Sequence, residues 1–149
     1  MSLTALLIRL IVVGKIKDHC LLTKIDEYKR RISYESRLEI VEIQDSSPEI
    51  EALKIKQILS KDPGFVIALS EEGRELDSVS FAGKLANING RISFIIGGPC
   101  GLSKEIKSLS REVMSLSRMT FTHEMARLLL LEQIYRAGTI INNRKYHRN

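Results

Sequence analysis

The residues best suited to chemistry form a glycine loop, Gly97-Gly98-Pro99-Cys100-Gly101, directly behind the apolar run 92–96 and just ahead of Ser103. Glycines at the end of a buried strand let the backbone approach a ligand and expose amide donors, and α/β domains hold ligands at the carboxyl ends of their strands. The loop lacks the Gly-x-Gly-x-x-Gly spacing and later acidic residue of a dinucleotide site. It also lacks the Lys-Ser/Thr pair of a phosphate loop. Taken alone it reads equally as a tight turn before a helix capped by Ser103.

Other reactive side chains are sparse. The three histidines, His19, His123 and His147, and the two cysteines, Cys20 and Cys100, show no ligand spacing, so no metal site is expected. Two distant cysteines without a Cys-x-x-Cys pair fit a reducing, cytoplasmic compartment. His123, just behind a predicted strand, reads as a structural hydrogen-bonding group. Arg127 and Arg136 could meet phosphates, or pair with Glu124 and Glu132 along a helix. Glu132, set among apolar residues, reads as held by backbone or interface hydrogen bonds rather than acting as a base.

Charge is unevenly placed. Lys and Arg balance Asp and Glu at 14 each over residues 1–102, whereas residues 103–149 carry 9 basic and 4 acidic side chains. No acidic residue follows Glu132, while Arg136, Arg144, Lys145 and Arg148 do. Such an ending suits either an anionic partner such as an RNA backbone, or simply a solvated tail.

The elements that must position these residues alternate between short apolar runs and longer amphipathic stretches, predicting an α/β fold with a largely parallel sheet flanked by helices. Strands are predicted at 6–13, 38–43, 65–69, 92–96 and 115–119. Helical spacing recurs at Leu21, Ile25, Tyr28 and Ile32, and again at Ala52, Ile55, Ile58 and Leu59 behind Pro48. Residues 71–77 read as a loop before a short helix at 80–87. A final helix at 123–141 is apolar on more than one face, which predicts a second subunit over part of it. The first apolar run, broken by Arg9, is shorter than the roughly 20 residues a membrane helix needs and reads as a buried strand. One domain over residues 1–149 and no membrane contact are expected.

In combination the motifs are more specific. The glycine loop within Ile95-Ile96-Gly97-Gly98-Pro99-Cys100-Gly101-Leu102, the segment Ser115-Leu116-Ser117-Arg118-Met119-Thr120-Phe121-Thr122-His123, Arg127 with Leu131-Glu132-Gln133-Ile134-Tyr135-Arg136-Ala137, and the ending Tyr146-His147-Arg148 occur in order along the chain. With Val12-Val13-Gly14-Lys15 near the start, this set resembles the bacterial ribosomal RNA large subunit methyltransferase H family, small members of the knotted SPOUT methyltransferases. The sequence departs from the family pattern at Cys100, where an acidic or amide residue is commoner, and at Arg118, where lysine is usual. It departs also at Thr122, where proline is usual, and at Gly138, where a bulky aromatic is typical.

The resemblance implies a homodimeric SPOUT fold with a C-terminal trefoil knot, using S-adenosylmethionine to methylate N3 of a pseudouridine in 23S ribosomal RNA within the assembled ribosome. Matched position by position, it implies cofactor contacts at Leu69, Gly97, Leu116, Ser117, Arg118, Met119, Thr120 and Phe121. It implies RNA recognition by Tyr146, His147 and Arg148, with His147 and Arg148 as candidates to accept or stabilise the departing proton. A methyl donor without phosphates needs apolar walls and backbone hydrogen bonds rather than cations, which agrees with the missing phosphate-loop lysine. An inactive ribosome-associated RNA-binding protein of the same fold, or a SPOUT methyltransferase with another RNA target, are the alternatives.

Overall fold

β-Branched and aromatic residues concentrate in the short apolar runs, and those runs are strands in the computed structural model, which describes residues 5–148. The strands are β1 (Leu7–Val13), β2 (Arg37–Ile43), β3 (Phe65–Glu75), β4 (Arg91–Ile96) and β5 (Glu112–Ser115). All pair in parallel, in the order β2-β1-β4-β3-β5. Each crossover carries a helix: α1 (His19–Ser33), α2 (Pro48–Leu59), α3 (Ser78–Ala86) and α4 (Lys104–Leu109), and α5 (His123–Ile141) follows the last strand.

Helix starts follow their caps. Asp18, Ser47, Asp77, Ser103 and Thr122 each accept a hydrogen bond from an amide of the first turn. Thr122 thus replaces a rigid turn with a cap, its Oγ1 accepting from the Met125 amide at 3.2 Å. At Gly138 the missing side chain has a local cause: a Cβ there would lie 3.3 Å from the Glu35 carboxylate, so a bulky aromatic would collide with it.

The alternation of side chains along the strands divides the core in two. Leu10, Val12, Phe94, Ile96 and Ile67 bury against α1, α3 and α5, while Ile11, Val13, Ile95 and Val66 bury against α2 and α4. Sheet and helices therefore form three layers. The several apolar faces of α5 are covered largely by its own chain: Leu130, Leu131, Ile134 and Ala137 join Ile25 and Ile32 of α1 and Phe81 and Leu85 of α3 in one cluster. Met125 stays exposed and Leu129 half-buried, so part of the apolar surface of α5 is left uncovered by the chain itself.

Two predicted elements differ from the fold. β3 runs on to Glu75 through the stretch expected to be a loop, but its pairing with β5 jumps from Leu69 to Arg74, both opposite Met114. Residues 70–73 leave the ladder there. A Cβ on Gly73 would lie 2.6 Å from the backbone of Val113 and Met114, so only glycine permits this approach. β5 itself spans Glu112–Ser115 rather than 115–119. Beyond it, Ser115 Oγ donates to the Ser117 carbonyl at 2.6 Å and accepts from the Ser117 amide at 3.1 Å, and Ser117 Oγ accepts from the Met119 amide at 3.0 Å. These local bonds replace the ladder and end the strand.

Candidate active site

A cavity of about 660 Å³ opens at the carboxyl end of the sheet. Leu69, Ser70, Glu71 and Glu72 enter it from the irregular part of β3, and Ile96 with residues 97–102 from the end of β4. Leu116, Ser117 and residues 119–122 come from the turn behind β5, His123 and Ala126 from the start of α5, and Lys107 from α4. The sheet order explains the convergence, because β4, β3 and β5 are adjacent although far apart in sequence. This is the strand edge at which parallel α/β sheets bind ligands.

The glycine loop both turns tightly and walls the cavity. Gly101 donates to the Gly98 carbonyl at 2.9 Å, and Ser103 Oγ accepts from the Ile106 amide at 3.2 Å to start α4. A Cβ on Gly97 would lie 2.8 Å from the Gly101 carbonyl carbon, and one on Gly98 would lie 2.9 Å from Val13 Cγ1. The loop is thus a tight turn before a capped helix and, at the same time, a wall of the cavity.

Of the residues expected to contact a cofactor, Leu69, Gly97, Leu116, Ser117, Met119, Thr120 and Phe121 line this one cavity. Arg118 does not. Its side chain is 89% exposed and pairs with Glu75 at 3.1 Å. Met119 is 75% exposed, leaving an apolar side chain at the rim. Sequence reasoning missed Glu71, Glu72, Lys107 and His123 as wall residues. The two glutamates sit in the stretch mistaken for a loop, and nothing in the spacing links Lys107 to them. Lys107 and Glu72 lie 3.3 Å apart.

The basic ending sits elsewhere. The Tyr146 hydroxyl lies 3.0 Å from that of Tyr28 on α1 and donates to Glu132 at 3.2 Å, while its ring meets Tyr135 edge-on at 4.8 Å. Burial first, then the Tyr28 hydrogen bond and the Glu132 charge, push the Tyr146 hydroxyl well above the usual tyrosine range. Arg136 lies over the Tyr146 ring and approaches His147 Nδ1 at 3.2 Å. Arg148 is exposed. None of these three tail residues lines the cavity of its own chain.

The helix arginines part company. Arg136 pairs with Glu132 at 2.5 Å, one of its two expected roles, and that bond holds its guanidinium above its ordinary pKa. Arg127 pairs with neither Glu124 nor Glu132: only 3% exposed, it reaches Glu42 of β2 at 2.7 Å and the Gly14 carbonyl at 2.9 Å. A buried guanidinium so engaged is structural. The backbone or interface bonds expected of Glu132 are instead side-chain bonds within the chain: its carboxylate accepts from Arg136, Tyr146 and Gln133. Among the described residues there is no group of three or more His, Cys, Asp or Glu placed to hold a metal. No helix among them is long and apolar enough to cross a membrane.

A wholly parallel sheet whose strand ends and glycine loop wall one cavity defines an α/β protein of the ligand-binding kind. Residues 6–147 match the family described as "Predicted SPOUT methyltransferase", and the chain belongs to that family. It is a methyltransferase whose methyl donor is S-adenosylmethionine. The chain is 42% identical over 141 residues to a ribosomal RNA large subunit methyltransferase H of Synechococcus sp. (strain CC9311), with 94% of this chain and 95% of that protein covered. It is 39% identical over 157 residues to the protein of that name from Clostridium botulinum (strain Langeland), with 95% and 99% covered. The tRNA (m1G37) methyltransferase of Aquifex aeolicus shares the fold with a TM-score of 0.59 at 18% identity, over 96% of this chain and 75% of that one. A probable methylase family protein of Haemophilus influenzae Rd KW20 does so at 0.60 and 15%, over 95% and 70%.

The lining fits such a donor. Lys107 is the one Lys or Arg among the described residues that wall the cavity, and Glu71 and Glu72 stand beside it. That charge set suits a sulfonium with an amino-acid end, while Leu69, Leu116 and Phe121 offer flat apolar surface for a purine.

Proposed function

We propose that this chain methylates N3 of a pseudouridine in 23S ribosomal RNA, in the assembled ribosome, acting in the cytoplasm as a homodimer. It does so as one SPOUT domain over residues 1–149 whose C-terminal part is tied in a trefoil knot. The observation that carries this reading is the meeting of Leu69, Gly97, Leu116, Ser117, Met119, Thr120 and Phe121 around one cavity. Near-complete coverage by relatives named as ribosomal RNA methyltransferases supports RNA as the acceptor.

When bound, S-adenosylmethionine would supply an electrophilic methyl group for transfer to the acceptor nitrogen. The task left to the protein is alignment, which contributes up to about 7–11 kcal/mol in well-oriented reactions. Leu69, Leu116 and Phe121 would hold the donor's purine, and backbone groups at Gly97, Leu116, Ser117, Met119 and Thr120 would meet its polar edge; Arg118, the remaining expected contact, stands outside the cavity wall, paired with Glu75. The acceptor nitrogen must shed a proton, for which His147 acts as acceptor and Arg148 stabilises the anion. Tyr146, kept protonated, stacks on or positions the base rather than removing its proton.

The tail rests on α1 and the middle of α5, outside its own cavity, which supports a reading in which the tail of a second subunit completes each site. This is the basis for reading the active unit as a homodimer. Mass spectrometry of 23S ribosomal RNA from a strain lacking the gene tests the proposal. Loss of the N3-methylpseudouridine signal is the expected result, and an unchanged signal would overturn the substrate assignment.

A further inference from the structure

Among the described residues, the Lys, Arg, Asp and Glu side chains of the cavity wall are Glu71 and Glu72, in the irregular part of β3, and Lys107, in α4. Lys107 Nζ lies 3.3 Å from Glu72 Oε2, so the pair joins the exits of two adjacent strands, β3 and β4. Both backbones are fixed. The Lys107 amide donates to the Ser103 carbonyl at 3.2 Å, and its neighbour Ile106 is buried in the core layer of α2 and α4. The Glu72 amide donates to Ser70 Oγ at 3.3 Å, and the next residue, Gly73, sits hard against the backbone of β5.

The apolar wall lies toward the other face of the sheet. Leu116 and Phe121 also line a second hollow together with Phe81 and Met114, which belong to the core layer of α3 and α5. Fixed charge and flat apolar surface thus stand on opposite sides of one cavity. S-adenosylmethionine is divided in the same way, with a purine at one end and an α-carboxylate beside an α-ammonium at the other. Its carboxylate is its one anionic group, and Lys107 is the one Lys or Arg in the described wall. The Glu72 side chain is 75% exposed, and an ion pair so open to solvent contributes little stability, so exchanging it for ligand charges costs little.

We propose that Lys107 binds the α-carboxylate of the methyl donor and Glu72 its α-ammonium, the zwitterion taking over both halves of the Lys107–Glu72 pair. This rests on adenosylmethionine as the donor. It gives charged partners to the end of that molecule which Leu69, Gly97 and the 116–121 turn do not provide for.

Calorimetric titration of the full-length protein with S-adenosylhomocysteine and with methylthioadenosine tests it, because both carry the adenosyl group on a thioether and only the first has the amino-acid end. In Lys107→Met the Kd for S-adenosylhomocysteine rises about tenfold, the effect of losing one hydrogen bond between charged groups, while that for methylthioadenosine stays within about twofold. Retained methylthioadenosine binding also shows that the variant is folded. Lys107→Arg keeps the cation and recovers part of the affinity. Glu72→Gln gives a smaller loss, again confined to S-adenosylhomocysteine. A loss shared equally by the two ligands would make Lys107 a structural residue, and unchanged S-adenosylhomocysteine binding would remove it from the ligand; either result overturns this proposal alone. Wild-type protein that binds neither thioether nor adenosylmethionine would overturn the donor assignment and the proposal with it.

Discussion

The hydroxyls of Tyr28 and Tyr146, 118 residues apart in sequence, meet at 3.0 Å, and Glu132 accepts from the second of them at 3.2 Å. This small network seats the C-terminal tail on α1 and α5, aided by an ion pair between Arg144 and the buried Glu35. Tyr146→Phe and Tyr28→Phe should each cost about 1 kcal/mol of stability. In a double-mutant cycle followed by urea unfolding, the double variant should cost less than the two losses added. Strict additivity would show that the hydroxyls act independently.

If the tail seated there serves the neighbouring subunit's cavity, two inactive variants should complement each other. A chain truncated before Tyr146, mixed and refolded with Gly97→Val, should regain part of the activity through heterodimers that carry one intact site. Absence of recovery would place each complete site within one chain.

Arg127 supports the site from below by tying α5 to Glu42 and to the Gly14 turn. Arg127→Met leaves the exposed Glu42 carboxylate to solvent and the Gly14 carbonyl without its buried donor, and should lower stability by about 1–3 kcal/mol, more than an exposed arginine would. An unchanged urea midpoint would refute this structural role.

Two glycines should respond in opposite directions. Gly73→Ala forces a Cβ to within 2.6 Å of the β5 backbone and should destabilise by about 1–3 kcal/mol, because the strands must separate. Gly83→Ala, in α3 with nothing within 4 Å of its added Cβ, should stabilise by about 0.5–1 kcal/mol. Thermal unfolding of both variants checks the contrast.

Glu51 offers a pH test away from the site. It is buried in the first turn of α2, and that burial, ahead of the opposing Ser46 amide bond, raises its pKa in the folded state. A raised folded pKa means that its stabilising contribution is present below the unfolded value near 4.5 and is lost as pH rises through the folded one. Glu51→Gln keeps an acceptor for Ser46 without the charge. The variant should therefore gain stability relative to wild type between pH 4 and neutrality, and a gap independent of pH would contradict the assignment.

Much of this was legible in the sequence, for physical reasons that differ by element. The 92–96 run and its glycine loop announce a buried strand and a close backbone turn, because few other residues tolerate either environment. The α5 helix shows in its apolar periodicity, yet its coverage by α1 and α3 depends on long-range packing that periodicity does not carry. The extension of β3 was hidden because residues 70–73 leave the ladder, with Ser70, Glu71 and Glu72 polar at the cavity wall. The end of β5 was misplaced because Ser115 and Ser117 bond their own backbone, a competition invisible to strand propensity. Arg127 gave no hint of Glu42, 85 residues away. His123 resembled any histidine near a helix start, and its packing on the Gly14 turn at the cavity wall depends on contacts that spacing does not carry.

The most direct test of the account is a calorimetric titration of the purified protein with S-adenosylmethionine, run beside Gly97→Val, whose side chain would collide with the loop that closes on it. The account predicts saturable binding at one site per chain in the wild type and its loss in a variant that remains folded by circular dichroism. Wild-type protein that shows no binding heat, or a folded variant that binds as tightly as wild type, would contradict it.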